Sequence, residues 1–276
     1  MKTLILSDLH LGTDASSATR YLDGIRAVAR HCDRVILNGD TLDRYEARNC
    51  TPDAERLLKD ALEACASRNG PPELISGNHD PAVSGEQWIY DAESATLVFH
   101  GDCIADCTHP TRLTDQMLMA RLQQHWKEIG GRPQKFTDLI SVYRRIQAEF
   151  AIENPPGRVS RTALEYVLSI FYPPQKPFHI LRYWAGAPRL AAALGETFDK
   201  PLRHLVVGHT HRAGCWKVKN FQVINTGSFM PLSTANAAVI VDSKVNFVPI
   251  ETLVVSGRTV SMPAPALARR IDEVQA

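Results

Sequence analysis

Thr3-Leu4-Ile5-Leu6-Ser7-Asp8-Leu9-His10 decides how the rest of the chain is read. A short apolar run containing a branched residue suits a strand buried on both faces of a layered sheet. This run ends on a carboxylate and an imidazole two residues apart. Four more apolar runs lead into residues with carboxylate, carboxamide or imidazole side chains. Arg34-Val35-Ile36-Leu37 leads to Gly39-Asp40, Glu73-Leu74-Ile75-Ser76 to Gly77-Asn78-His79-Asp80, and Thr96-Leu97-Val98-Phe99 to His100-Gly101. His204-Leu205-Val206-Val207 leads to Gly208-His209-Thr210-His211. Half of the ten histidines fall inside these five runs, so the imidazoles are concentrated where strands end.

Helical patterns separate the first three strands. Tyr21, Leu22, Ile25, Val28 and Ala29 make one apolar stripe; Leu57, Leu58, Ala61, Leu62 and Cys65 make another, opened by Thr51-Pro52 at the cap and first helical positions. Strand–helix alternation predicts an α/β core with helices covering the sheet, and sites in such sheets collect past the carboxyl ends of the strands. Beyond His211 the chain reads as hairpin strands over 215–219, 222–224, 237–241 and 244–248, with Asp242-Ser243 as a turn.

The five runs offer only carboxylate, carboxamide and imidazole, which are the ligands two divalent ions sharing a site would need. A carboxylate can bridge two ions, neutral imidazoles fill the shells without over-neutralising them, and Asn78 adds an uncharged oxygen. His79, beside Asn78 and not required as a ligand, is free for acid–base or electrostatic work. Alone, Asp8-Leu9-His10 would read as a loop cap and Gly208-His209-Thr210-His211 as a turn with surface histidines. All five in this order do not.

The set D-x-H, G-D-x-x, G-N-H-D, H-G and G-H-x-H, followed by Asn225-Thr226-Gly227-Ser228, resembles the calcineurin-like metallophosphoesterases. The resemblance implies a two-sheet β-sandwich flanked by helices. It assigns Asp8, His10 and His211 to one metal, Asn78, His100 and His209 to a second, and Asp40 to both. It places His79 beside the phosphate as proton donor or charge stabiliser, with Asp80 orienting its ring. Manganese is the expected metal, and iron, zinc, nickel and cobalt suit the same ligands. The implied activity is attack of a metal-activated water on the phosphorus of a small phosphorylated substrate. Scaffold proteins of this superfamily lack a ligand or the catalytic histidine; here none is missing.

The chain has 276 residues and a formal net charge of +1, without an apolar stretch of membrane-spanning length or a base-stacking module, so nucleic acid is not the expected partner. The first residues lead directly into a strand rather than a signal peptide, and six cysteines are spread without a disulfide framework, which predicts a cytoplasmic protein with reduced thiols. The core is expected over 1–102 and 204–262, a helical cap insertion over 103–203, and a tail of no assigned function over 263–276. Within the insertion, Met117 to Ile129, Leu139 to Phe150 and Leu164 to Phe171 (capped by Ser160) form apolar stripes, and a last segment runs from Phe178 to Leu194. Residues 110–203 carry 14 Lys plus Arg against 8 Asp plus Glu. A basic lid would draw in anionic substrates, and Arg144, Arg145, Arg158 and Arg161 are its candidate substrate-binding residues.

His100-Gly101-Asp102, the helical insertion and Gly208-His209-Thr210-His211-Arg212 together resemble the UDP-2,3-diacylglucosamine pyrophosphohydrolases. That subgroup implies a lipid-precursor substrate and peripheral contact with a membrane. Two departures count against it: His79 stands where the subgroup carries Arg, and Gly39-Asp40-Thr41-Leu42-Asp43-Arg44 replaces Gly-Asp-Leu-Phe-Glu.

Overall fold

The computed structural model describes residues 1–43, 52–107, 113–153, 168, 171, 174 and 176–255. In chain order its strands are β1 (Lys2–Leu6), β2 (Arg34–Asn38), β3 (Glu73–Ile75), β4 (Trp88–Asp91), β5 (Thr96–Phe99), β6 (His204–Val207), β7 (Gly214–Val218), β8 (Phe221–Asn225), β9 (Asn236–Val241) and β10 (Lys244–Pro249). The helices are α1 (Leu22–Ala29), α2 (Pro52–Ala64), α3 (Leu113–Glu128), α4 (Phe136–Glu153), α5 (Lys176–Gly195) and α6 (Ile250–Val255).

The strands form two five-stranded mixed sheets, ordered β10-β9-β1-β2-β3 and β4-β5-β6-β8-β7. β1, β2 and β3 run parallel, as do β5, β6 and β8. Antiparallel β9 and β10 extend one sheet, and antiparallel β4 and β7 close the edges of the other. Side chains alternate between faces with period two, and that alternation divides the strands between three cores. Ile5, Ile36, Ile75, Val98, Val206 and Ile224 meet between the sheets. Their neighbours Leu4, Leu6, Val35 and Leu37 turn outward onto α1 and α2. Leu97, Phe99, Leu205, Val207 and Val223 turn outward on the other side. The chain is therefore an α/β two-sheet sandwich flanked by helices.

The segment between β5 and β6 supplies the second helical layer. Phe136, Leu139, Ile140, Tyr143 and Ile146 of α4 and Ala191, Ala192 and Leu194 of α5 share one buried core with β5, β6 and β8. Phe136 is fully buried and meets the Phe99 ring edge-on at 5.2 Å between centroids. The outer face of this sheet is as apolar as its inner one, so it must be covered; a cap confined to the site mouth would leave it wet.

The expected strands fall within one or two residues of the observed ones, while α3 begins four residues before its expected stripe and α4 extends three residues beyond its stripe at each end. The Asp242-Ser243 turn has both residues at positive φ, which matches the right-handed twist of its strands. β4 was not expected, because a four-residue Trp-Ile-Tyr-Asp alternation is too short to stand out. α6 was also not expected; its Ile-Glu-Thr-Leu-Val-Val sequence carries no helix-start signal. Of the third stripe of the insertion, only Leu168 and Phe171 are described; both are helical and exposed. Ser160 and the tail over 263–276 lie outside the described residues.

Candidate metal centre

Every candidate ligand sits just past the carboxyl end of a strand. Asp8 and His10 follow β1, Asp40 follows β2, Asn78 to Asp80 follow β3, His100 follows β5, and His209 and His211 follow β6. Five of them, Asp8, His10, Asp40, His209 and His211, hold the backbone at φ between +48° and +65°. Left-handed backbone is unfavourable for residues with a Cβ, and such strain persists only where the surroundings over-determine it. Here the fixing comes from close packing of one loop on the next. The amides of Asp8 and His10 donate to the carbonyls of Gly39 and Asp40, and the His209 amide donates to the Asp8 carboxylate at 3.0 Å. A Cβ at Gly77 would collide with the Asp40 carboxylate, and one at Gly208 with that of Asp8. Only glycine permits these approaches.

Three sets of ligand atoms converge among the described residues: His10, Asp43 and His79 make up one, and the other two share a residue. Of these two, Asp8, His10, Asp40 and His211 form the first; Asp40, His100 and His209 form the second, with the atoms of each set within 4.8 Å of one another. Asp40 belongs to both. In the first set the His10 and His211 Nε2 atoms face each other at 3.0 Å, with an Asp8 oxygen 3.3 Å from His211 and an Asp40 oxygen 3.8 Å from His10. In the second, the Asn78 carboxamide oxygen lies 2.8 Å from His209 Nδ1 and 3.1 Å from His100 Nε2. Lone pairs of nitrogen and oxygen aimed at a shared point, with a carboxylate common to both points, suit a pair of divalent cations. His100 Nδ1 is turned to the Asn38 carbonyl at 2.9 Å, which leaves Nε2 facing the site, as a metal-binding imidazole requires.

Without a cation, the buried carboxylates dominate the electrostatics. Burial alone would lower the His10 imidazole, but the facing Asp43 carboxylate and the charges of Asp40 and Asp8 outweigh it and push it up to about 9. Burial likewise opposes ionisation of His100, and Asp40, 3.2 Å away, raises it to about 10. His209 is pushed down to about 4 by burial and then by the charge of His100. Asp40 stays well below the usual carboxylate range: burial would raise it, and the surrounding histidines more than reverse that.

His79 is partly exposed, with 23% of its side chain accessible; it is absent from the two sets that share Asp40 and belongs to the third, with His10 and Asp43. Its amide donates to Asp40 at 2.7 Å, and its Nδ1 lies 3.0 Å from Asp43. The resemblance implies that Asp80 orients this ring; the structure puts Asp43 there instead. Asp80 is fully buried, and its oxygens accept the amides of Asp40, Thr41, Leu42 and Gly77 at 2.7–3.1 Å. It ties the β2 loop to the β3 loop and has no reach left for the ring. Burial, then the charge of Asp40, raises its carboxyl to about 6. Asp43 is the residue that sequence reasoning left without a role. Although burial opposes ionisation, the charges and hydrogen bonds of His79 and His10 hold its carboxyl below the usual range. The signal was present in the run Gly39-Asp40-Thr41-Leu42-Asp43, whose second carboxylate sits three residues past the shared ligand.

The basic cluster is not assembled as expected. Arg144 is 4% exposed, with Nη1 2.8 Å from Asp102 and 3.1 Å from the Gln147 carboxamide oxygen. Arg145 points the other way, to His125 at 2.9 Å on the surface. Adjacent helical residues face different directions, so one serves the core and the other solvent. Arg158 and Arg161 lie outside the described residues.

The sequence profile of the calcineurin-like phosphoesterases matches residues 1–213. A UDP-2,3-diacylglucosamine hydrolase of Chromohalobacter salexigens is 31% identical over 147 residues, 48% of this chain and 59% of that protein. The chain thus spans about three-fifths of that relative's length. Among solved structures, the phosphoesterase Yfce of E. coli aligns over 91% of this chain and 100% of its own, at 13% identity and a TM-score of 0.39. Vps29 of Entamoeba histolytica, solved with zinc, aligns over 91% and 99%, at 13% identity and a TM-score of 0.37.

Proposed function

The chain belongs to the calcineurin-like phosphoesterases; from that premise we propose that it is a phosphoester hydrolase that uses two divalent ions to hydrolyse a phosphate ester or diphosphate of a small anionic substrate. The observation that carries this reading is the pair of ligand sets sharing Asp40, with His79 backed by Asp43 beside them. Asp8, His10, Asp40 and His211 would hold one ion, and Asp40, Asn78, His100 and His209 the other. When bound, such ions act as Lewis acids that lower the pKa of water and neutralise charge on phosphoryl oxygens. We take manganese as the first metal to test and a cytoplasmic setting as the working assumption.

The protein's own groups divide the remaining work. The ionised Asp43 accepts a hydrogen bond from His79 Nδ1–H, which orients the ring and leaves Nε2 for the substrate; a ring carrying both protons would give the one on Nε2 to the leaving oxygen and keep the one held by Asp43. Asp80 keeps the loops carrying Asp40 and Asn78 in register through its four amide bonds. Residues 103–203 are proposed as one inserted unit that shapes the substrate side of the site.

A second reading, a lipid-linked diphosphate as substrate, is favoured by one observation. Leu168, Phe171, Phe178 and Leu181, all within the insertion, are more than half exposed. Apolar side chains of this size in water mark a surface that meets something apolar. Among the described residues no helix is long and apolar enough to cross a membrane, so any such contact would be peripheral. The two readings separate in one assay with added manganese, comparing p-nitrophenyl phosphate, its bis-ester and UDP-2,3-diacylglucosamine with and without detergent. The first reading expects turnover of the water-soluble esters without detergent. Activity confined to the lipid substrate would select the second, and metal-independent or absent turnover of all three would sink both.

A further inference from the structure

α5 contains a proline in its interior, Pro188. An interior proline has no N–H for the carbonyl four residues back and ordinarily kinks or breaks a helix. The carbonyl released here is that of Trp184, and it does not go unused: Arg212 Nη1 donates to it at 2.7 Å. The same tryptophan donates its indole Nε1 to the Thr210 carbonyl at 2.8 Å. Thr210 lies between the candidate ligands His209 and His211, and Arg212 follows them. The Arg212 guanidinium also rests over the Trp216 ring at 5.2 Å, and the Tyr183 ring stands 6.5 Å from that of His209.

We propose that Trp184, Pro188 and Arg212 form a clasp through which the inserted segment positions the ligand loop after β6. This rests on the two-ion reading of the site. The loop needs an outside hold, because His209 and His211 are both at positive φ, +65° and +57°, and neither prefers that conformation unaided. It carries one ligand of each set that shares Asp40, so loosening it weakens both ions together. Asn225 grips the loop from the core side, donating to the Gly208 carbonyl at 2.6 Å and to the Thr210 hydroxyl at 3.0 Å; the clasp is the hold from the opposite side. Pro188 contributes by what it lacks. An N–H at position 188 would compete with Arg212 for the Trp184 carbonyl. Trp184 is thus a positioning residue, not a catalytic one.

The test uses full-length wild type, Trp184→Phe and Pro188→Ala. For each, the melting temperature of the metal-free protein and the affinity for Mn(II) alone, by calorimetry, are measured. Pro188→Ala should melt at or above the wild-type temperature, because alanine suits a helix interior far better than proline. Its Mn(II) affinity should nevertheless fall about 10-fold at both ions, the scale of loss when a residue supporting a ligand is removed. Trp184→Phe should show a similar fall, and the double variant should fall no further than the larger single change, since both break one clasp. Mn(II) affinities within twofold of wild type in Pro188→Ala overturn the proposal, and that variant decides the matter even if Trp184→Phe does not fold. If wild type itself binds no divalent ion, the two-ion reading fails instead. The clasp is then read by hydrogen exchange at the amides of His209 to Arg212, which should quicken in Pro188→Ala; unchanged exchange overturns it.

Discussion

The strand ends and the inserted helices solve opposite problems. At the strand ends, Asp8, Asp40 and His100 are buried polar groups, held where backbone amides of one loop donate to carbonyls of the next. In the insertion, α4 and α5 bury an apolar face against the second sheet while Phe178 and Leu181 stand in water. A pre-organised polar site tolerates almost no change in residue type, because each group answers to a stated partner. An apolar helical layer answers only to volume and period. On the proposed function, chemistry falls to the first region and recognition to the second, and they are joined where Trp184 meets Thr210 and Arg144 meets Asp102.

The most severe way to break the polar side is Asp40→Ala. Because this carboxylate belongs to both of the sets assigned to ions, both ions should be lost together and turnover should fall by about 10³-fold or more, the several kcal/mol that bound cations supply to charge development. Metal analysis after gel filtration checks it, and retained metal with retained activity would show that the site has been misread. His79→Ala should do less: near-normal metal content with kcat down roughly 10²–10⁴-fold. Asp43→Asn should fall in the same direction but by a smaller factor, with some loss of metal because Asp43 also faces His10 at 3.5 Å, and the pair should be non-additive in the part that runs through the His79 ring.

Phe136→Ala sharpens the comparison from the apolar side. Were the insertion an independent lid, deleting a ring from it would leave the core intact. Phe136 instead sits in one core with Leu97, Phe99 and Leu205, so the substitution should cost about 3–5 kcal/mol in a single cooperative transition. Two transitions in a chemical denaturation curve, the earlier one alone shifted, would restore the lid picture.

That difference also accounts for what the sequence revealed. The strands carrying the ligands were legible because each joins a branched apolar run to chemistry-bearing residues. The candidate site was legible because Asp, Asn and His recur at the strand ends, and the structure brings those residues together. The resemblance gave the His79 ring to Asp80 and left Asp43 without a role, whereas the β3 loop turns Asp80 back onto amides and the β2 loop brings Asp43 to the ring. Arg144 looked like its exposed neighbour because composition cannot tell which side of a helix meets Asp102. Pro188 gave no warning of its partner, since Arg212 is far away in the chain.

Metal removal probes the polar side more gently. In the metal-free protein His10 and His100 hold protons up to about 9 and about 10, while in the unfolded chain both lose them near 6.5. Folded pKa values raised in this way confer stability that is complete below pH 6.5 and lost as pH rises toward 9–10, with a slope of about 1.4 kcal/mol per pH unit for each proton. Stability of the metal-free protein should therefore fall between pH 7 and 9, by urea denaturation. The stabilisation gained on adding metal should grow over the same window, since cations compete with protons for these rings. A metal-free protein equally stable at pH 7 and 9 would contradict the charge arrangement.

The smallest expected effect belongs to the basic surface of the insertion. Arg144 leaves this test, because it is buried against Asp102, and removing it would strand a buried carboxylate at a cost of about 3–5 kcal/mol unrelated to substrate. Arg145, Arg158 and Arg161 remain. Converting all three to Gln removes charge that acts on encounter and ground-state binding, and salt already screens such charge beyond about 8–10 Å. KM for an anionic substrate should rise a few-fold at low ionic strength, and its salt dependence should flatten, as expected when steering is lost. Turnover of p-nitrophenyl phosphate at saturation should stay within about twofold, since the ligand sets and His79 are untouched. If KM and its salt slope stayed at wild-type values for every anionic substrate, the insertion's recognition would have to rest on its apolar side chains, and Phe178 and Leu181 would become the residues to change.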